Sequence, residues 1–211
     1  MDILTGSILF KGGWMMVPII LGSMIALALA VERGMLLWKI RLDVVKFTDS
    51  VFSFIEKGHF DLAAGACEAA SHPIGRVFAA GLARRGDDPS EIERAMEHVG
   101  NDEMARLEKH MHIFLIIVGV EPMMGFLGTI IGLIKAFMAW EVAGATVTVE
   151  SLAGGIYQAM VTTASGLAVA IPYYIIYSLY MGRINTVARD LNHYGEKLSD
   201  LLKTNTGKKK K

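Results

Sequence analysis

The chain has 211 residues, 53% of them hydrophobic and 20% charged, and its 21 basic and 21 acidic side chains balance to a net charge of zero. With a mean hydropathy of +0.41, it is too apolar for an ordinary soluble domain and too charged to lie wholly in a membrane. The charge balance argues against nucleic acid as a partner. The single cysteine, Cys67, excludes an internal disulfide framework. We therefore expect a membrane protein with a polar part.

The first predicted membrane span covers residues 14–38. Residues 1–13 precede it without a basic stretch, which argues against a cleaved signal peptide. Trp14 and Trp38 stand at the two ends of the span, where amphipathic rings prefer the headgroup level. Glu32 and Arg33 are close enough to its far end to reach the headgroups.

Residues 39–112 alternate charged and apolar side chains at helical spacing, which predicts an all-helical polar domain. The apolar pattern predicts that the first span continues as one amphipathic helix to a break at Lys57–Gly58. Short helices are expected over 61–70 and 73–85. Ser90 with Glu93 is typical of a capping box, after which a long helix would run straight into the second span, with Gly100 its weakest point.

This polar domain or its edge contains most of the histidines, but their spacing does not favour a metal site. No H-x-x-x-H or C-x-x-C pattern occurs, and no phosphate-binding loop or nucleophile elbow is present in the chain. We therefore predict no metal, no cofactor and no enzyme activity. The histidines concerned are His59, His72, His98, His110 and His112.

Two long apolar segments, 113–140 and 151–180, joined by a polar turn at 141–150, predict a transmembrane hairpin. Each arm exceeds the roughly 20 residues needed to cross a bilayer. Residues 181–211 form another amphipathic pattern and end in the run Lys208–Lys211. We interpret this run as a solvated or tag-like end, and contact with anionic lipid is the alternative.

The distribution of basic residues predicts the orientation of the three spans. Residues 39–112 contain ten Lys and Arg and the tail from Gly182 contains eight, whereas residues 1–13 contain one and the hairpin turn none. The positive-inside rule therefore predicts a cytoplasmic domain at 39–112, a cytoplasmic C-terminus and a periplasmic N-terminus.

The hairpin carries polar side chains that lipid cannot satisfy. Gln158, Thr162 and Ser165 recur at i, i+4 and i+7, and Thr163 lies beside this stripe. A second stripe, in the first arm, consists of small residues interrupted by a hydroxyl: Gly125, Thr129, Gly132 and Ala136. Helix packing and hydrogen bonding of the hydroxyls to their own helix are the alternatives to a functional role.

Two charged residues lie within the first arm of the hairpin. Glu121 is a carboxyl well inside the apolar arm and is either a proton site or a structural group bonded to a neighbour. Lys135 is expected to extend to the periplasmic headgroups.

Two runs in the hairpin resemble the signatures of a known family. EPMMGFLGTIIGLIKAF and GGIYQAMVTTASGLAVAIP are similar to the paired signatures of the MotA/TolQ/ExbB proton-channel family, and the three-span layout is most similar to ExbB, with TolQ next. The resemblance implies a multi-pass protein of the bacterial inner membrane that forms a homo-oligomeric, pentameric ring. Its implied partners are an ExbD/TolR-like protein with an ionisable transmembrane Asp and a TonB-like protein.

The resemblance also implies roles for individual residues. Thr129 and Thr163 occupy the hydroxyl positions that face the ion path in the family. The polar stripe makes Gln158, Thr162 and Ser165 further candidates for this path, and Glu121 is a candidate although it does not stand where the family pattern places its acid. The small residues Gly125, Gly128, Gly132 and Gly166 are expected to serve helix packing. Gln158 stands where many ExbB-like proteins have Glu, which leaves both H⁺ and Na⁺ open as the coupling ion. The alternatives to a TonB-energising motor are a TolQ-like envelope-integrity motor and a passive scaffold without ion coupling; an intramembrane enzyme is a remote third.

Overall fold

The computed structural model describes residues 12–146 and 148–209. Most of the predicted N-terminal segment 1–13, one residue of the turn and the last two residues of the lysine run therefore lie outside the described chain. In the described ranges every regular element is a helix, which confirms the all-α prediction. The helices are α1 Met16–Lys39, α2 Val44–Glu56, α3 Phe60–Ala69, α4 Pro73–Ala83, α5 Pro89–Glu108, α6 Met111–Ala143 and α7 Val149–Lys209, with a short 3₁₀ turn at Gly144–Thr146.

The helices belong to two compact units. The apolar unit contains the described residues up to Glu32 together with His110–Ser178, and the charged unit contains Arg33–Lys109 and the chain from Leu179. Three stretches of helix are long and apolar enough to cross a membrane, and they lie in α1, α6 and α7. The number of candidate spans agrees with the prediction of three.

In the apolar unit the helices are apolar on their outer faces as well as where they pack together. Small or apolar side chains such as Ala26 and Phe114 are fully buried between helices, while Met24, Phe126 and Met138 are each about 60% exposed. A helix that is apolar on all sides and exposed on one of them is typical of a membrane span. The unit is therefore the membrane part of the protein.

The charged unit has an ordinary apolar core. Phe78 is fully buried and its ring stacks on Phe52 at a centroid distance of 5.7 Å, and Ile74 and Leu198 are also fully buried. Cys67 is buried in the same unit, and burial raises the pKa of its thiol to about 12. A thiol in this state is a packing group, as the sequence indicated.

The first span does not continue as one amphipathic helix, and this prediction is wrong. Helix α1 ends at Lys39, and α2 begins at Val44 after Asp43, whose carboxylate accepts a hydrogen bond of 3.3 Å from the Lys46 backbone N–H. A side-chain acceptor at this position satisfies a free helix-start donor and so favours a new helix over a continuous one. The predicted break at Lys57–Gly58 is present, with Gly58 at a φ of 78°.

The predicted capping box is also wrong. Helix α5 begins at Pro89, after Asp88 as N-cap, so Ser90 already lies in the first turn. Proline has a φ that suits the first helical position and no N–H to leave unpaired there, which moves the helix start before the serine. Glu93 instead accepts a 3.0 Å hydrogen bond from Ser199 and forms a 2.7 Å ion pair with Lys203.

Helix α5 does not run straight into the second span, contrary to the prediction. It passes through Gly100 without a break and ends at Glu108, and His110 then adopts a left-handed conformation with a φ of 65° before α6 begins. Within the charged unit, Arg33 is buried and donates hydrogen bonds to the last carbonyls of α5, at 3.1 Å to Arg106 and 3.5 Å to Leu107. These carbonyls have no partner in their own helix, so the arginine stabilises its end.

The third predicted span and the predicted C-terminal helix are one element. Helix α7 has 61 residues and contains Pro172 without ending there. At about 1.5 Å per residue it is roughly 90 Å long, about three times the hydrocarbon thickness of a bilayer. Its membrane-crossing part therefore continues directly into a polar helix.

Candidate functional site

The site is built where α6 and α7 approach so closely that their backbones touch. A Cβ placed on Gly132 would lie 2.6 Å from the carbonyl oxygen of Gly155, and one on Gly166 would lie 2.7 Å from the carbonyl oxygen of Glu121. Gly125 faces the backbone of α7 at 3.0 Å in the same way. A real Cβ does not come as close as 2.6 or 2.7 Å to a backbone oxygen, so Gly132 and Gly166 accept only glycine, whereas a Cβ at Gly125 would be tight. Small residues are what permit close contact between spans.

Close approach brings two hydroxyl groups together across the helices. Thr129 on α6 and Thr163 on α7 are in direct hydroxyl–hydroxyl contact. The Thr163 hydroxyl is also 2.9 Å from the carbonyl oxygen of Gly125, and the Thr129 hydroxyl is 3.3 Å from the same oxygen. Both side chains are half-buried, so one side of this pair, which we call the threonine pair, remains accessible.

The neighbouring threonine has a different environment. Thr162 is fully buried, and its hydroxyl donates within its own helix, with the carbonyl oxygens of Gln158 at 2.9 Å and Ala159 at 3.0 Å. Its side chain covers Gly128 of α6. Ser165 is half-buried. Thr162 therefore serves packing between the two helices, whereas Thr163 takes part in the threonine pair.

Gln158 lies nearer the hairpin turn and is bonded to a lysine. The amino group of Lys135 donates a 3.0 Å hydrogen bond to Oε1 of Gln158, whose side chain is only 8% exposed. The amino group of Lys135 thus has an amide oxygen as a partner within the hairpin, and its extension to the headgroups stays a prediction. Nε2 of Gln158 is buried without a hydrogen-bond partner among the described residues. It lies against Gly13, whose φ of 69° also suits glycine.

The carboxyl of Glu121 faces α1. This residue is 3% exposed, and its carboxyl covers Gly22, where a Cβ would lie 1.9 Å from Oε1. Its other oxygen, Oε2, has no hydrogen-bond partner in the described part of the chain. The structure thus separates two polar positions that the sequence grouped together: a hydroxyl pair between α6 and α7, and a carboxyl between α6 and α1.

Gly22 and the bond between Lys135 and Gln158 were not foreseen from the sequence. A signal for Gly22 exists, because Gly22, Ala26 and Ala30 recur every four residues in α1 and would form a small face. Ala26 and Ala30 are indeed buried. No comparable sequence pattern predicts the contact of Lys135 with Gln158, because this contact depends on how α6 and α7 are rotated against each other.

The threonine pair can change its hydrogen-bonding character without moving heavy atoms. Each hydroxyl has one proton and two lone pairs, and the proton rotates to suit its neighbours. If Thr163 donates to Gly125 and Thr129 donates to Thr163, the oxygen of Thr129 is free to accept. If Thr163 donates to Thr129, the proton of Thr129 is free to be donated outward. The pair can therefore bind a group that alternates between donor and acceptor, as a carboxyl group does on losing its proton.

Several known proteins are similar to this chain. The MotA/TolQ/ExbB proton channel family matches residues 69–193. The chain is 32% identical over 161 residues to the putative biopolymer transport protein ExbB-like 3 of Synechocystis sp., covering 76% of this chain and 77% of that protein. It is 34% identical over 167 residues to the ExbB-like 1 protein of the same organism, covering 76% and 64%, and 33% identical over 109 residues to the Tol-Pal system protein TolQ of Haemophilus influenzae, covering 52% and 47%. Residues 69–193 contain the threonine pair, Gln158, Lys135 and Glu121, and the chain belongs to the MotA/TolQ/ExbB proton channel family.

Proposed function

We propose that this chain is the channel-forming stator subunit of an ion-driven motor in the bacterial inner membrane. Five copies form a ring around the transmembrane helices of an ExbD/TolR-like partner. Ion flow through the complex drives a TonB-like protein that energises transport across the outer membrane. The proposal rests on family membership and, above all, on the accessible threonine pair between two membrane spans.

The threonine pair supports this proposal because it suits a carboxyl that cycles between two protonation states. A protonated carboxyl on the partner would donate to the free lone pair of Thr129. After it releases its proton, the resulting carboxylate would accept the proton that Thr129 then turns outward. In the first arrangement the Gly125 carbonyl, 2.9 Å from Thr163, binds the Thr163 proton, and in both arrangements the two hydroxyls stay in contact with each other. Preorganised groups of this kind stabilise both states at little reorganisation cost.

The chain's own side chains favour a carboxyl supplied by a second protein. Gln158 cannot take up a proton at physiological pH, although its amide can donate and accept. Glu121 is the acidic residue in the middle of α6, far from Glu141 at its end, but its carboxyl faces Gly22 of α1. The partner's transmembrane Asp is the group that the threonine pair would serve, with H⁺ as the transported ion and Na⁺ as the alternative.

The proposed orientation follows from charge. The basic residues of 39–112 and of the tail favour a cytoplasmic charged unit, with the N-terminus and hairpin turn in the periplasm. The motor then draws on the membrane potential, which supplies about 2.3 kcal/mol per charge for each 100 mV. Several charges per cycle would supply the work for a mechanical step.

Ion flux through the reconstituted complex tests the proposal. The chain is purified with its partner, placed in liposomes, and proton entry under an imposed potential is followed with a pH-sensitive dye. Thr129→Ala with Thr163→Ala should abolish flux while the complex still assembles, whereas Thr163→Ser keeps the hydroxyl and should retain much of it. The control is Thr204→Ala, which removes an exposed threonine whose hydroxyl donates to the Asp200 carbonyl of its own helix.

The same experiment separates the motor from a passive scaffold. If the chain is a passive scaffold, the double variant should change assembly, measured by the mass of the purified complex. The complex that remains should then show no specific loss of flux. Unchanged flux in a fully assembled double variant would refute the role of the threonine pair.

A TolQ-like motor is the second candidate, supported by the similarity to the Haemophilus influenzae TolQ protein. The two duties differ in phenotype, and deletion of the gene in its native host distinguishes them. Loss of energised uptake with an intact envelope supports the TonB-linked reading. Leakage of periplasmic protein and detergent sensitivity, with normal uptake, supports the TolQ-like one.

A further inference from the structure

A cavity of about 220 Å³ lies in the charged unit, between the end of α1 and the polar part of α7. It has room for several water molecules, each of which takes about 30 Å³ in the liquid. Its wall is partly apolar and partly charged. The wall includes Leu37, Leu42, Arg41, His72, Arg183 and Asp190.

Two of the charged side chains in this wall have no partner in the described chain. Neither guanidinium, of Arg41 or of Arg183, takes part in an ion pair or hydrogen bond with a described residue. Asp190 contributes one negative charge to the same wall. Two positive charges and one negative charge leave the cavity with a net charge of about +1.

His72 adds a neutral polar group. Its Nδ1 accepts a 3.2 Å hydrogen bond from the Ile74 backbone N–H, so the proton of the neutral ring is on Nε2. Burial, aided by the charge of Arg76, lowers the pKa of His72 to about 4. At neutral pH the ring is therefore uncharged, and the positive charge of the cavity comes from the arginines.

Helix α1 indicates the level of the bilayer at which the cavity is expected. Trp38 is 69% exposed in the last turn of this apolar helix, where an amphipathic ring prefers the headgroup level of the bilayer. Arg41 follows Trp38 by three residues, and Leu37 precedes it by one. Because Leu37 and Arg41 flank Trp38 and both line the cavity, we expect the cavity at the level that this ring prefers, between headgroups and hydrocarbon.

We propose that this cavity binds the headgroup of an anionic glycerophospholipid, with its phosphodiester between Arg41 and Arg183. Guanidinium groups bind phosphate oxygens through paired N–H donors. Basic pockets between membrane helices at this level bind acidic lipid headgroups. The net charge of +1 matches the single negative charge of a phosphatidylglycerol phosphodiester. Asp190 provides an acceptor for a headgroup hydroxyl, and Leu37 and Leu42 provide apolar surface for the start of the acyl chains.

Lipid binding to the purified, full-length complex tests the proposal. Complexes are placed in nanodiscs of phosphatidylcholine that contain a small fraction of fluorescent phosphatidylglycerol, and energy transfer from the complex's tryptophans reports occupancy. Arg41→Gln with Arg183→Gln should weaken binding on the order of thirtyfold, since each basic residue near an anionic surface contributes about one kcal/mol. The control, Lys57→Gln with Arg94→Gln, removes two exposed charges of the same unit that do not line the cavity, and should change binding little.

Two further arms make the outcome decisive. Arg41→Lys with Arg183→Lys keeps the charge and should retain part of the affinity, and circular dichroism checks that each variant remains folded. Equal binding of phosphatidylcholine or phosphatidylethanolamine by the unmodified complex would overturn the proposal. Displacement of the fluorescent lipid by millimolar glycerol phosphate or inorganic phosphate would also overturn it, because the cavity would then be a site for soluble phosphates.

Discussion

The backbone contact between α6 and α7 makes a sharp prediction, because two adjacent glycines of α7 differ completely in their surroundings. A Cβ on Gly155 would lie 2.5 Å from the carbonyl oxygen of Gly132 and 2.8 Å from the backbone nitrogen of Ala136. A Cβ on Gly154 would meet nothing within 4 Å. We predict that Gly155→Ala destabilises the protein and that Gly154→Ala does not.

The magnitude follows from the geometry. Ordinary contacts begin at 3.4 Å, so the new methyl group at Gly155 is about 0.9 Å too close to a backbone atom that no side-chain rotation can move. The two helices must separate, and overpacking of this kind costs about 1–3 kcal/mol. Both variants gain the same helix propensity, up to about 1 kcal/mol relative to glycine. The difference between them therefore isolates the clash, and we expect about 2–3 kcal/mol.

Thermal unfolding of the two variants in the same detergent measures this difference. A gap of about 2–3 kcal/mol corresponds to roughly 5–10 °C in Tm for a chain of this size. Gly155→Ala should also lower ion flux, because separating α6 from α7 pulls Thr129 away from Thr163. Equal Tm values for the two variants would show that the helices do not meet at this level and would remove the structural basis of the threonine pair.

Three further predictions concern other contacts. Arg33→Ala leaves the last carbonyls of α5 without donors and should cost about 1–3 kcal/mol in the free energy of unfolding, with faster amide hydrogen exchange confined to the end of that helix. Burial lowers the pKa of His72 to about 4 from 6.5, so the unfolded chain takes up this proton first as the pH falls. Stability should then decrease between about pH 6.5 and 4 by up to roughly 3 kcal/mol, and His72→Gln should flatten this part of the profile in urea titrations. Gly22→Ala pushes a methyl group into the carboxyl of Glu121 and should lower Tm, whereas adding Glu121→Ala should recover part of the loss, measured as a double-mutant cycle.

The sequence predicted the spans well because their signal is local. Length and continuous apolar composition are enough to identify a membrane helix, so α1, α6 and the first part of α7 follow from counting. The same is true of the break at Gly58. The breaks after Lys39 and at His110 were missed, because they depend on capping by particular side chains. Asp43 caps the start of α2, and Arg33, more than seventy residues away in sequence, binds the end of α5.

By itself, the sequence determined that the chain is an all-helical membrane protein with three spans and that hydroxyl, amide and carboxyl groups lie in the last two of them. Only the tertiary structure decided which of those groups meet. Spacing along one helix places Thr162 and Thr163 within one residue of each other, yet the rotation of α7 against α6 buries the first over Gly128 and brings the second to Thr129. It likewise turns Lys135 to Gln158, while the packing of α1 against α6 places Glu121 over Gly22. These pairings depend on the register and rotation of neighbouring helices. Register and rotation are set by the positions at which glycine lets two backbones touch, and the periodicity within a single helix does not specify them.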